Sequence, residues 1–152
     1  MSTAVIAEQH PEAWVVGIDQ SAHRLAKHQP SGADNYLLLQ AEAESFWQCL
    51  AEAGIGLYGH WLLYPNPWPK ANQFKRRVHG HGAFATLARL GGDVELRTNW
   101  DIYAQEFFQA ASLIGLSGEL ETVIPVSPMT LFELKYQQRG QTLWRFRGQC
   151  AN

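Results

Sequence analysis

Tyr64 to His81 reads Y-P-N-P-W-P-K-A-N-Q-F-K-R-R-V-H-G-H, directly after the apolar run Leu57 to Leu63. It holds three of the chain's seven prolines and four of its twelve Lys and Arg, and no acid. The prolines fix φ and withhold backbone donors, so the segment is a stiff turn and not a continued strand. A buried strand, a rigid turn, a basic patch and a helix-like stretch follow one another. An open α/β sheet presents an active-site loop at the carboxyl end of a strand in this way.

The same alternation extends in both directions. Ser2 to His10 reads as the last turns of an amphipathic helix, with Pro11 just beyond its end. Trp14 to Ile18 is a short β-rich run ending at Asp19, and Ser21 can cap a helix running to about His28. Pro30 to Asn35 is a loop, and Tyr36 to Leu39 is the next strand. Glu42 to Ala53 is an amphipathic helix with Phe46, Trp47, Leu50 and Ala53 on one face, stopped by Gly54. Beyond the basic loop, Arg76 to Leu90 carries Val78, Phe84, Leu87 and Ala88 at helical spacing, with Gly80 and Gly82 weakening its start. Gly91-Gly92 turns the chain into a strand over Asp93 to Thr98. Asn99 can cap a helix over Asp101 to Ile114 with Tyr103, Phe107, Ala110 and Ala111 inward. Leu120 to Val126 and Thr142 to Arg147 read as the last strands, with a short segment opened by Pro128 and Thr130 between them. The expected fold is a doubly wound, mostly parallel α/β sheet with helices on both faces. The final strand follows only a short segment and is expected to be antiparallel, at or near one edge.

The 152 residues make one domain, and 46% hydrophobic content is enough for a core. The net charge of −2 excludes a polycation, so anion binding must come from local clustering. Cys49 and Cys150 have no metal spacing and form no disulfide framework, which suits a reducing cytoplasm. Neither a signal peptide nor an 18-residue apolar run is present, so no membrane partner is expected.

Asp19 ends the first strand, where a carboxylate can accept from both hydroxyls of a ribose or simply cap a helix. Glu42 follows the second strand, facing an adenine edge or favouring a helix N-terminus. Lys70, Lys75, Arg76 and Arg77 lie beside Trp68 and Phe74; cations contact phosphates and aromatic faces stack unpaired bases. His79 and His81 flank Gly80 with no third metal ligand in evidence. Arg139-Gly140 is a second phosphate contact or an ordinary turn.

Together these residues resemble the tRNA (guanine-N7) methyltransferase family of the TrmB type. Its P-D-P-W-P-K motif is similar to Pro65-Asn66-Pro67-Trp68-Pro69-Lys70, and its K-R-R run to Lys75-Arg76-Arg77. Its T-D-W-x-x-Y-A segment resembles Thr98 to Ala104, its late K-[FY]-E-x-R-G segment resembles Lys135 to Gly140, and its G-I-E/D resembles Gly17-Ile18-Asp19. The resemblance implies a class I methyltransferase fold, S-adenosyl-L-methionine as cofactor, and tRNA or other structured RNA as partner, with no DNA. It implies Asp19, Glu42, Tyr64 and Pro65 as cofactor contacts and Asn66 at the catalytic position. Trp68, Lys70, Lys75, Arg76, Arg77, Asn99, Lys135, Gln137 and Arg139 would meet the substrate. It also implies that the first strand and glycine-rich loop of the family precede Met1, so the domain is expected to be N-terminally incomplete. In the family that strand lies between those read here at Trp14 and Leu57. Its loss would bare two rows of backbone groups or make those strands pair directly.

Asn66, Asn99 and Gln137 stand where the family pattern has acids. A carboxylate there accepts the N1 and N2 donors of guanine and steadies the positive charge that builds on N7 methylation. An amide keeps one acceptor oxygen but brings donors and no charge. Two further expectations follow: a methyltransferase of changed specificity, with Asn66-Pro67-Trp68 partly resembling the N-P-P-Y loop of amino-methyltransferases, or an inactive member that binds RNA or a partner.

Overall fold

The computed structural model describes residues 2–150. In chain order the elements are α1 (Ser2–Gln9), β1 (Val15–Asp19), α2 (Ala22–Ala26), β2 (Tyr36–Gln40), α3 (Ala43–Glu52) and β3 (Gly59–Leu63). Then come α4 (Thr86–Leu90), β4 (Asp93–Thr98), α5 (Asp101–Leu113), β5 (Leu116–Val123), α6 (Leu131–Gln138) and β6 (Leu143–Cys150).

The strands form two sheets. β1 and β2 pair in parallel, Val15 opposite Tyr36 and Asp19 opposite Gln40. The other four run in the order β3-β4-β6-β5. β3 and β4 are parallel, and β6 is antiparallel to both β4 and β5. The reversed last strand is as expected, though it sits between β4 and β5 with β5 at the edge. Among the described residues β1 and β3 do not pair with each other, and each has a strand on one side only. His10, just after α1, crosses this divide: its ring lies 5.9 Å from that of Tyr58 and 5.2 Å from that of Trp61 on β3.

The core lies on one face of the four-stranded sheet. Val94 and Leu96 of β4 and Phe146 of β6 meet Trp47 of α3, Leu87 and Leu90 of α4, and Tyr103, Phe107 and Ala111 of α5. The i, i+4, i+8 spacing of Tyr103, Phe107 and Ala111 keeps one stripe of α5 against the sheet. The alternate residues face the other way and are charged: Glu95 and Arg97 on β4 lie opposite Arg147 and Arg145 on β6. Glu95 accepts from Arg97 Nε at 2.7 Å and from Arg147 Nε at 3.1 Å.

Three expectations need correction. Arg76 to Leu90 is not one helix. Two 3₁₀ turns, Ala71–Arg76 and Val78–Gly80, precede a five-residue α4. Gly80 packs so closely on Phe74 that an added Cβ would lie 2.2 Å from its carbonyl oxygen, an approach that only glycine permits. The fifth strand begins at Leu116 and ends at Val123, because its register follows β6 from Cys150 back to Leu143. Asn99 does not cap α5; Trp100 holds that place, and Thr98 Oγ1 accepts from the Trp100 N–H at 3.1 Å. Gly91 and Gly92 do make the turn into β4, at φ 75° and 84°.

Candidate active site

The loop after β3 leaves the sheet through two residues in the left-handed region, Tyr64 at φ 52° and Trp68 at φ 44°. Neither is a glycine, so each conformation costs about 1–3 kcal/mol and persists only where the surroundings hold it. Both are held by acids outside the loop.

At Tyr64 the acid is Glu133, in the first turn of α6 and fully buried. Its Oε1 accepts from the Tyr64 hydroxyl at 2.8 Å and from Arg97 Nη1 at 2.7 Å, and its Oε2 from the Met129 N–H at 2.7 Å. Burial first, and then the bond to Glu133, push the Tyr64 hydroxyl far above its ordinary pKa, so it stays a donor. At Trp68 the acid is Glu106 on α5. Arg77 Nη1 donates to Glu106 Oε1 at 2.6 Å, and Arg77 Nε donates to the Trp68 carbonyl at 3.0 Å. The outer part of the loop is open. Asn66 is exposed, and its Oδ1 accepts from the Trp68 N–H at 3.3 Å, which closes an Asx-type turn. The Arg76 guanidinium lies 4.9 Å from the Trp68 ring centroid. Pro67, Pro69, Trp100 and Ile102 line a small cleft beside them, with Arg77 and Tyr103 at its back.

A family model described as "Putative methyltransferase" matches residues 1–146. The chain belongs to this methyltransferase family. A tRNA (guanine-N(7)-)-methyltransferase of Nitrosomonas eutropha is 29% identical over 93% of the chain, and one of Nitrosococcus oceani is also 29% identical over 93%. The chain spans 68% and 63% of the lengths of these two relatives. The resemblance carried by the P-N-P-W-P-K loop is thus borne out. Among solved structures, a 16S rRNA (adenine(1408)-N(1))-methyltransferase from Catenulisporales acidiphilia superposes with TM-score 0.59 at 17% identity, over 99% of this chain and 81% of that one. A structure described as an antibiotic related methyltransferase gives 0.61 at 14%, over 97% and 83%. At such identity the likeness establishes the fold, and it bears out the methyltransferase architecture.

The site residues expected from the sequence fall into three groups. Asn66, Trp68, Lys70, Lys75 and Arg76 all lie on the loop beyond β3, and of these Lys70, Lys75 and Arg76 are exposed. Asn99 follows β4, beside β3, and its amide donates to Gln141 Oε1 at 2.8 Å. Tyr64 and Pro65 open the loop at the end of β3.

The second group is apart from the loop. Asp19 ends β1, where Arg24 Nε and Nη2 fork onto its carboxylate at 2.8 and 2.7 Å and the Ser21 N–H adds a third bond at 2.9 Å. The Arg24 hydrogen bonds hold the Asp19 carboxyl below the usual carboxylate range. Glu42 occupies the N-cap position of α3, exposed, its Oε1 accepting from Ser45 Oγ at 3.2 Å.

The third group is on or after α6. Lys135 is exposed, Gln137 donates to the Pro125 carbonyl at 3.0 Å, and Arg139-Gly140 forms the turn that ends the helix, with Gly140 at φ 70°. The acid that α6 delivers to the loop is Glu133, which the sequence reading passed over. A signal for it was present: Thr130-Leu131-Phe132-Glu133 has capping-box spacing, and the Glu133 N–H donates to Thr130 Oγ1 at 2.9 Å. Arg77 is 8% exposed with its guanidinium committed inward, unlike Arg76 next to it. Among the described residues no group of three or more His, Cys, Asp or Glu is placed to hold a metal. No helix among them is long and apolar enough to cross a membrane.

Proposed function

We propose that the chain is an S-adenosylmethionine-dependent methyltransferase acting on N7 of a guanine in tRNA, in the cytoplasm. The observation that carries the reading is the loop after β3. It is pinned at both left-handed residues, bears Asn66 and Trp68 in its turn, and presents Lys70, Lys75 and Arg76 outward with no acid among them. The activity named for the relatives in Nitrosomonas and Nitrosococcus supports the same substrate.

The residues present fit part of the cofactor. Asp19, at the carboxyl end of a parallel strand, has the acceptor oxygens a ribose diol needs once Arg24 swings away, and Arg24 is exposed enough to do so. Glu42 would face the adenine. When bound, S-adenosylmethionine supplies an electrophilic methyl group that the guanine N7 lone pair accepts while the sulfur keeps the former bonding pair. The chain's own work is positioning, which is worth several kcal/mol once the groups are held in line. Lys70, Lys75 and Arg76 hold phosphates, Trp68 faces the base, and Asn66 and Asn99 offer it hydrogen bonds, with Lys135, Gln137 and Arg139 at the margin. A further parallel strand between β1 and β3, with its loop, would complete both the sheet and the cofactor cradle. We therefore read residues 1–152 as one incomplete domain.

Asn66 and Asn99 also support a second reading, a methyltransferase of another specificity. Neither side chain supplies the negative charge that N7 methylation favours, and both bring N–H donors. Calorimetric titration with S-adenosylmethionine, on this chain and on a version extended upstream, tests the cofactor. Base-resolved mapping of methyl groups on unmodified tRNA tests the substrate. Transfer to guanine N7 is the expected result. Transfer to another base moves the assignment to the second reading, and binding of cofactor by neither version overturns both.

A further inference from the structure

We infer that Glu106 is a positioning residue for the base-facing loop, acting through Arg77, which is a clamp on Trp68 and not a phosphate contact. The inference rests on the RNA-binding reading above and assigns two residues within it.

Arg77 lies in the K-R-R run, and its sequence context marks it for phosphate. Its side chain is only 10% exposed, however, against 31% for Glu106. One guanidinium edge reaches Glu106 at 2.6 Å, and the Nε–H turns to the Trp68 carbonyl at 3.0 Å. The guanidinium carbon also lies 5.4 Å from the Phe74 ring centroid, a second contact with the same loop. The planar fork therefore ties the strained residue, Trp68 at φ 44°, to α5.

Helix α5 is a firm base for this tie. Phe107 and Ala111 are wholly buried in the core, and Tyr103, one turn before Glu106, accepts from the Val78 N–H at 3.1 Å. His79 backs the same acid: its Nε2 lies 3.3 Å from Glu106 Oε1, and its side chain is 1% exposed. Its ring packs edge-on to Tyr103 at 4.7 Å, and its Nδ1 is buried with no hydrogen-bond partner among the described residues. His79, Glu106, Arg77 and the Trp68 carbonyl thus form a single line from the core to the loop. Arg76 stays outside with its guanidinium over the Trp68 ring. Adjacent arginines have divided the work: one fixes the backbone of Trp68, and the other covers its indole and faces the solvent.

The test is tRNA binding by the whole chain as a function of salt, for Arg77→Met, Arg77→Lys, Glu106→Gln, the double variant Arg77→Met/Glu106→Gln and Lys75→Gln, with melting temperature followed for each. For a clamp, Arg77→Met and Glu106→Gln each weaken binding about tenfold, as expected for loss of a charge-assisted hydrogen bond. The double variant is no weaker than the poorer single. The slope of log affinity against log salt stays that of the unaltered chain, while Lys75→Gln makes it shallower by about one. Arg77→Lys fails like Arg77→Met, because an ammonium cannot span Glu106 and the Trp68 carbonyl together. Two results overturn the proposal: a slope shallower by about one with Arg77→Met and near-full binding with Arg77→Lys, which marks a phosphate contact, or unchanged binding with only a lowered melting temperature. If the unaltered chain binds no tRNA, the RNA reading falls first and takes this inference with it.

Discussion

The Tyr64 hydroxyl donates to Glu133 Oε1 at 2.8 Å, joining residues 69 positions apart. Tyr64 is the left-handed residue at which β3 gives way to the loop, and Glu133 is anchored by Arg97 of the neighbouring strand and by the Met129 N–H. The bond therefore fixes the direction in which the loop leaves the sheet. Loss of one partner of a buried charge pair costs about 3–5 kcal/mol, so Glu133→Ala is expected to destabilise the chain by that order. Tyr64→Phe removes one hydrogen bond to a charged acceptor and should cost about 1.5–3 kcal/mol. The two partners touch, so adding Tyr64→Phe to Glu133→Ala should cost much less than it does alone. Urea unfolding of the three variants measures all three quantities, and full additivity would show that the bond is not formed.

Stability should also fall on mild acidification. Burial pulls the pKa of both His79 and His60 below the ordinary value of 6.5. His79 sits among Tyr103, Phe74 and Phe107 with Glu106 as its acid, and His60 Nε2 meets the Gly91 carbonyl at 2.9 Å. The folded state holds each ring neutral, whereas the unfolded chain takes up the proton. The stabilisation is therefore complete above about pH 6.5 and is lost as the pH falls from there through the folded-state values, at up to about 1.4 kcal/mol per pH unit for each ring. His79→Phe should make the slope between pH 6.5 and 5 shallower. Denaturant unfolding at half-unit pH steps checks this, and an unchanged slope would mean that His79 takes up its proton as readily in the fold as in the unfolded chain.

How much of this could be read from the chain depends on the range of the interactions. β3 was legible from the apolar run Leu57 to Leu63 and β4 from the alternation of Val94 and Leu96 with Glu95 and Arg97, and Gly91-Gly92 marks the turn between α4 and β4. The helix over residues 76–90 was misread because Val78, Phe84 and Leu87 have helical spacing, while the features that bend the segment are contacts between side chains and backbone. Gly80 must pass against the Phe74 carbonyl, and Val78 must meet the Tyr103 hydroxyl. The basic loop was legible by composition, but the partition within it was not. Arg76 and Arg77 are chemically identical neighbours, and only the packing of α5, 29 residues beyond Arg77, brings Glu106 to one of them. Glu133 was hidden in the same way, since its partners come from the residue just after β3, from β4 and from the turn before α6.

Cofactor affinity should respond in opposite directions to the two partners at the end of β1. Both Asp19 oxygens are engaged by Arg24. In the proposed cofactor role a ribose diol takes the same oxygens, so the guanidinium would compete with it. Asp19→Ala should weaken S-adenosylmethionine binding about tenfold or more, by removing a charged acceptor. Arg24→Ala removes an exposed ion pair worth about 0.2–1 kcal/mol and should tighten binding no more than about fivefold. Calorimetry on both variants distinguishes competition from support: weaker binding with Arg24→Ala would mean that the guanidinium orients the carboxylate for the cofactor.

The sharpest test of substrate lies at Asn66. Its Oδ1 accepts from the Trp68 N–H, so the side chain closes the turn and leaves its amide N–H groups toward the solvent. Asn66→Asp preserves the shape and the turn-closing acceptor, replaces the outward donors with a second acceptor, and adds a negative charge. If the target is guanine N7, that charge stabilises the cation formed as the methyl group arrives and gives the N1 and N2 donors an acceptor. A charge-assisted hydrogen bond of about 1.5–3 kcal/mol corresponds to a rise in kcat/KM of about tenfold or more. The rise should appear in kcat as well as KM, because the charge matters most in the transition state. A fall in transfer, or transfer that moves to an exocyclic amine, would instead assign the Asn66 amide to a different base.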